Sequence, residues 1–183
     1  LQSIDHEEKV IYLGTFSKSI APSLRISYMV LPLHLLKKYQ ESCSFYSTTV
    51  SKIQQEVLRE FIRGGYFGRH LNKMRGIYKN KHDFLVGELK KKNWVENIAG
   101  DNAGLHVLVQ VNTTLTEEEI CKKAAECGIR LMGIREHYIH TPPEGRPVLL
   151  LGYGKPDEQE IQKGLEVLES IITGRNSNNC KKP

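Results

Sequence analysis

The chain has 183 residues, 39% apolar and 26% charged, with 26 lysines and arginines against 21 aspartates and glutamates, a formal net charge of +5. That is the balance of one, or one and a half, globular domains, and it excludes wholesale disorder. The apolar runs, such as Val148–Leu151, are far too short to span a bilayer, no stretch has the build of a secretion signal, and a charge this modest does not by itself mark a nucleic-acid-binding face.

The chain starts at Leu1 rather than at a methionine, as expected of a piece of a longer protein. Its four cysteines, Cys43, Cys121, Cys127 and Cys180, form no CxxC pair and read as reduced thiols of a cytoplasmic protein. The densest basic stretch, Arg69–Lys81, has helical spacing and reads as a solvated face. His70, His82, His106, His137 and His140 do not share a face at ligand spacing, so no metal site is expected.

In chain order, Lys9–Phe16 (KVIYLGTF) is a β-branched and aromatic run ending in a Gly-Thr turn, and Leu24–Leu31 (LRISYMVL) predicts a second strand closed by Pro32. Leu33, Leu36 and Tyr39 share a helix face before the break SCSFYST. Val50–Arg63 is apolar at helical spacing and stops at Gly64-Gly65. Tyr66–Lys92 predicts a helix of roughly 40 Å with Leu71, Met74, Tyr78, Phe84, Leu85 and Leu89 on its buried side. Beyond Asn93 the pattern turns to strand, helix, strand, helix. Gly104–Val111 is a strand, Thr116–Glu119 is a capping box, and Ile129–Ile134 is a short extended segment. Val148–Tyr153 is an apolar strand, and Asp157–Thr173 is a helix with Ile161, Leu165, Leu168 and Ile172 inward. Val95–Gly174 therefore predicts a small α/β lobe of three strands and two helices. The two strands before Leu31 cannot form a stable sheet alone and read as part of a larger one.

The segment that carries chemistry is Gly14-Thr15-Phe16-Ser17-Lys18, followed by Pro22 and Arg25-Ile26-Ser27-Tyr28. A lysine on a tight turn after a strand suits a Schiff base, and two hydroxyls with a guanidinium seven residues on suit one phosphate group. Together they match the needs of pyridoxal phosphate, an amine for its aldehyde and anchors for its phosphate. On the residues alone the plainer reading, a surface lysine in a polar turn, stands ahead.

Three collinear segments change that balance. TFSKSIAPSLRISYMV resembles the lysine segment of fold-type I aminotransferases, closest to the aminotransferase-like domain of MocR-type regulators of the GntR superfamily. Gly65–Arg75 (GYFGRHLNKMR), with Tyr78 and His82-Asp83, is similar to that subfamily's G-hydrophobic-x-x-H-x-x-x-M-R-x-x-Y helix, and Leu149–Leu168 is similar to its closing strand and helix. The resemblance implies an α/β fold. Residues 1–92 would be the C-terminal part of the cofactor-binding large domain, with its partial sheet and interlobe helices, 93–174 a complete small domain, and 175–183 a disordered tail. It assigns the Schiff base with pyridoxal 5'-phosphate to Lys18 and the phosphate to Thr15, Ser17 and Arg25.

Two departures follow from the same comparison. The aspartate that meets the pyridine nitrogen and the aromatic residue that stacks on the ring lie upstream of the lysine in the family, and Asp5 sits just outside the lysine strand and does not replace the former. Weak or absent cofactor binding is thus expected of this chain alone. Leu150 stands where many aminotransferases carry the arginine for the substrate carboxylate, leaving Arg135 and Arg146 as loop candidates for that role. The resulting expectation is a cytoplasmic, homodimeric regulator that senses an amine or amino acid and reaches DNA through an upstream winged helix, with no membrane partner. The alternatives are a fragment of a catalytic class I/II aminotransferase and a cofactor-free interaction module.

Overall fold

The computed structural model describes residues 2–100, 104–141 and 144–174. The chain divides into two compact units, the first running to Arg75 and the second beginning at Gly76. The tail read as disordered, 175–183, lies outside the described residues. No described helix is long and apolar enough to cross a membrane.

In the N-terminal unit β1 (Tyr12–Thr15) pairs antiparallel with β2 (Ser27–Val30), Tyr12 opposite Val30 and Thr15 opposite Ser27. The second strand is shorter than its apolar run. Pro22, whose ring presets a helical φ, starts a 3-10 turn over Pro22–Leu24, and Arg25 then takes a left-handed conformation, so the ladder opens only at Ser27. Helix α1 (Leu33–Cys43) follows Pro32. Helix α2 (Lys52–Arg63) is capped by Ser51, whose Oγ accepts from the Gln54 N–H at 3.2 Å. Among the described residues of this unit one apolar side chain is buried, Ile26 at 7% exposure, whereas Leu13 is 71% exposed.

Helix α3 (Tyr66–Lys90) contains the boundary between the units. Beyond it come β3 (Val95–Ala99), β4 (His106–Val111), α4 (Glu117–Glu126), β5 (Met132–Gly133), β6 (Val148–Gly152) and α5 (Glu158–Thr173). The strands form a four-stranded sheet in the order β3-β4-β6-β5, antiparallel at every pairing. This corrects the three-strand reading. The missed strand, VENIA, has an irregular register between Val95 and Asn97, which breaks the alternation that marks a strand.

Alternate residues of the central strands, Val107, Val109, Val111, Leu149 and Leu151, face one core. Leu85, Val86 and Leu89 of α3, Ile120 of α4, and Ile161, Leu165, Leu168 and Ile172 of α5 complete it. Each such side chain contributes about 1.5–3 kcal/mol on burial, so the stability of the described chain is concentrated in this unit. Trp94 lies in the same core with its indole N–H lacking an acceptor among the described residues. Both helices that follow strands of this sheet start in full capping boxes, Thr116 with Glu119 and Asp157 with Glu160. Cys43 and Cys121 are free thiols, as read; Cys127 is disulfide-bonded, which corrects the reading there, and Cys180 lies outside the described residues.

Among the described residues of this unit Glu117 is the buried charged one, at 5% exposure. Its Oε1 accepts from the Val148 N–H and its Oε2 from the Arg135 N–H, each at 2.9 Å. The carboxylate thus fastens the first turn of α4 to the start of β6 and to the residues after β5. A Cβ at position 133 would overlap it, which is why Gly133 stands there. Replacing Glu117 by alanine leaves two inward-facing N–H groups unpaired and is expected to cost about 2–4 kcal/mol. The check is amide hydrogen exchange. Arg135 and Val148 should both lose protection in Glu117→Ala and one of them in Glu117→Gln, and unchanged protection in the alanine variant would refute the assignment.

Candidate cofactor-binding site

The lysine turn is built on the carbonyl of Ile26. It accepts from the Phe16 N–H at 2.9 Å and from the Thr15 hydroxyl at 3.2 Å. The same Thr15 Oγ1 accepts from the Ser17 N–H at 3.2 Å, and Ser19 Oγ donates to the Thr15 carbonyl at 3.2 Å. Ile20 closes the loop with an N–H to the Phe16 carbonyl at 2.8 Å. Lys18 stands at the outer edge of this turn, exposed to solvent.

Because Thr15 pairs with Ser27 and Phe16 bonds to Ile26, Ser17 and Arg25 leave the same end of the two-stranded ladder. Arg25 has φ 49° and ψ 32°, a left-handed conformation that costs a side-chain-bearing residue of order 1–2 kcal/mol. Among the described residues neither the Lys18 ammonium nor the Arg25 guanidinium has a carboxylate or hydrogen-bond partner, unlike Arg59, which pairs with Glu56 and Glu60. Lys18, Arg25 and the hydroxyl-bearing Thr15 and Ser17 thus lie on the two segments that leave one ladder end. That donor set fits a phosphate ester with an aldehyde near it.

Beneath the turn lies a cluster of tilted and edge-on aromatic rings, with Tyr28 packed under the lysine loop as its strand-end position suggested. Tyr28 lies across Gly14, where any Cβ would overlap its ring. Its centroid is 5.0 Å from Phe16 and 5.9 Å from Tyr12, and Phe16 is 5.9 Å from Phe67. A glycine directly before the Thr-Phe-Ser-Lys run was the available signal. The left-handed Arg25 and the role of the Ile26 carbonyl had none, since backbone conformation there is imposed by the turn. Asp5 is spent locally. Its carboxylate accepts from the N–H groups of Val10 and Lys9, both at 2.8 Å, and of Glu7 at 3.1 Å, bonds that lower its pKa.

Arg135 and Arg146 lie in the C-terminal unit and line one cleft of about 730 Å³ together with Glu117, Glu118 and Glu136. Both are engaged. Arg135 Nη2 donates to the Gly145 carbonyl at 3.1 Å, and its Nε lies 3.8 Å from Glu117. Arg146 pairs with Glu96 at 3.3 Å. Leu150 occupies the middle of β6, opposite Leu108 and Met132.

The profile of the family described as aminotransferase class I and II matches residues 1–162. The HTH-type transcriptional regulator YdeL of Bacillus subtilis is 39% identical over 171 residues, covering 93% of this chain and 36% of that protein. The probable rhizopine catabolism regulatory protein MocR of Rhizobium meliloti is 29% identical over 174 residues, 94% of this chain and 35% of that one. The chain thus spans about a third of the length of these curated relatives. The crystal structure of Pyrococcus horikoshii kynurenine aminotransferase, in complex with PMP, superposes with a TM-score of 0.76 at 24% identity, covering 96% of this chain and 43% of that one. The likeness is one of fold.

The tyrosine pair offers a direct check of this cluster. A hydrogen bond with Tyr12, with burial as a lesser cause, pushes the Tyr28 phenol above its ordinary pKa of 10.0. A raised pKa means that the contribution of this bond is complete below the ordinary value and is lost as pH rises through the raised one. Carbon-labelled tyrosine ring resonances should show Tyr28 ionising late, and Tyr12→Phe should return it to the ordinary range. An unshifted Tyr28 titration in the unmodified chain would remove the bond.

Proposed function

Since the chain belongs to the aminotransferase class I and II family, we propose that it is the cofactor-lysine and small-lobe portion of a GntR/MocR-type regulator that senses an amine or amino acid through pyridoxal 5'-phosphate. What supports this reading is the placement of Lys18 and Arg25, unpaired among the described residues, together with Thr15 and Ser17 on the segments that leave one end of the β1–β2 ladder. The regulator half of it is supported by the 39% identity to YdeL over nearly the whole chain.

When bound, the cofactor supplies an aldehyde that captures amines reversibly and a ring that withdraws electrons. Lys18 Nζ would be the amine that holds the cofactor's aldehyde, exposed where an incoming amine could replace it. Arg25 offers two parallel N–H donors to the phosphate, and Ser17 adds its hydroxyl. Thr15 already donates to the Ile26 carbonyl, so its oxygen serves chiefly to fix the turn. In this reading residues 1–92 belong to the cofactor-binding lobe and 93–174 to the small lobe of a cytoplasmic homodimer whose DNA contacts lie in a separate winged helix.

Leu150 favours a sensor over a turnover enzyme, since β6 there offers a carboxylate nothing to bond. Of the two loop candidates for an effector carboxylate, Arg146 is the better placed. Its partner Glu96 is exposed and exchangeable, whereas Arg135 is fixed to a backbone carbonyl.

In the full-length regulator, borohydride reduction followed by peptide mapping should find a pyridoxyl group on Lys18, and Lys18→Ala should abolish it. A reduced adduct surviving on another lysine would overturn the assignment. Arg25→Ala should weaken cofactor affinity by about 1.5–3 kcal/mol, roughly ten- to a hundredfold. An amino acid should change DNA affinity without releasing a keto acid; rapid keto-acid release would turn the reading to the aminotransferase.

A further inference from the structure

The C-terminal unit contains a second groove, of about 420 Å³, that shares no lining residue with the Arg135–Arg146 cleft. Its floor is apolar, formed by the buried side chains of Leu85 on α3, Leu151 on β6 and Leu165 on α5, with half-exposed Ile129 on one wall. Gly164, within the unbroken helix α5, lines the groove and leaves its side-chain space open. A Cβ added there would meet nothing within 4 Å, although glycine inside a helix costs about 1 kcal/mol relative to alanine.

The mouth of the groove is cationic. Arg130 and Lys155 line it, both exposed, and among the described residues neither head group has a partner. Lys81 adds positive charge to the same loop by donating to the Gly154 and Lys155 carbonyls at 3.4 and 3.3 Å. The one carboxylate in the lining, Glu160, is turned to its own helix end, where Oε2 accepts from the Asp157 N–H at 2.9 Å.

We infer that this groove binds a small amphipathic anion, an apolar body of roughly ten to fifteen heavy atoms seated on the leucines with a carboxylate-like head between Arg130 and Lys155. A neutral apolar guest leaves both cations without a counter-charge, and a cationic guest is repelled. The site is independent of the cofactor turn and stands whether or not the chain holds pyridoxal phosphate.

The test is an amide NMR titration of this chain with phenylbutyrate and, as the uncharged control, phenylbutanol. Saturable shifts are expected at Gly128, Gly152 and Gly164, with phenylbutanol binding more weakly. Reversing the mouth with Arg130→Glu and Lys155→Glu should weaken phenylbutyrate about tenfold or more. Gly164→Leu should fill the groove and abolish the shifts while adding a good helix former. If that variant fails to fold, the charge reversal decides alone, since both of its positions are exposed. Equal affinity for the two probes, shifts confined to residues before Arg75, or no saturation at millimolar phenylbutyrate would each overturn the inference. So would shifts at the same glycines that follow protein concentration without any probe, which would assign the groove to a second copy of the chain.

Discussion

Ile26 is held from both ends. Its side chain is the buried apolar group among the described residues of the N-terminal unit, and its carbonyl accepts from both Phe16 and Thr15. Everything that the unit offers chemically is arranged around that residue. Upstream of it the left-handed Arg25 is thrown outward, and across the ladder the Thr15 hydroxyl is oriented so that it also fixes Ser17. The position of Lys18 is then a consequence of short-range hydrogen bonding within a dozen residues. It does not depend on a large core, which this unit lacks among its described residues. A turn so determined can present an amine in a fixed place even on a two-stranded ladder that would be marginal by itself.

The C-terminal unit solves a different problem. It has a core drawn from three helices and a sheet, and Glu117, the buried carboxylate among its described residues, is satisfied by backbone rather than by a full ion pair. Burial of an unpaired charge is costly, and here two short N–H bonds offset the cost while fixing where β5 ends and β6 begins. The absent Cβ of Gly133 is part of the same device. Among the described residues, close packing is concentrated beyond Gly76, while the unpaired cations Lys18 and Arg25 lie before it.

What was legible in the sequence follows this division. Helices with strong periodicity and caps, such as α4 behind Thr116 and α5 behind Asp157, could be placed to within a residue, because capping boxes are written in side chains. Ile161, Leu165, Leu168 and Ile172 are buried as their spacing implied. β3 escaped because its irregular register removes the alternation, and the true start of β2 escaped because Arg25 adopts a conformation that arginine does not advertise. At the candidate site, residue types named the turn, but the bonds that shape it run through backbone atoms of Phe16 and Ile26, whose side chains carry no such message. Arg135 and Arg146 were picked out as flanking charges. Their shared cleft follows from the closeness of the segment after β5 to the start of β6, where Glu117 ties both.

The single tryptophan belongs to this division as well. Trp94 is enclosed by the core of the C-terminal unit, and its indole N–H makes no hydrogen bond among the described residues, a setting in which indole emission is shifted to the blue. The N-terminal unit has no indole at all. Intrinsic fluorescence of the molecule is therefore a one-sided instrument, reporting the packing beyond Gly76 and blind to the lysine turn. If the units open at different free energies, a melt followed at tryptophan wavelengths would look cooperative and two-state while the part that holds Lys18 had already come apart.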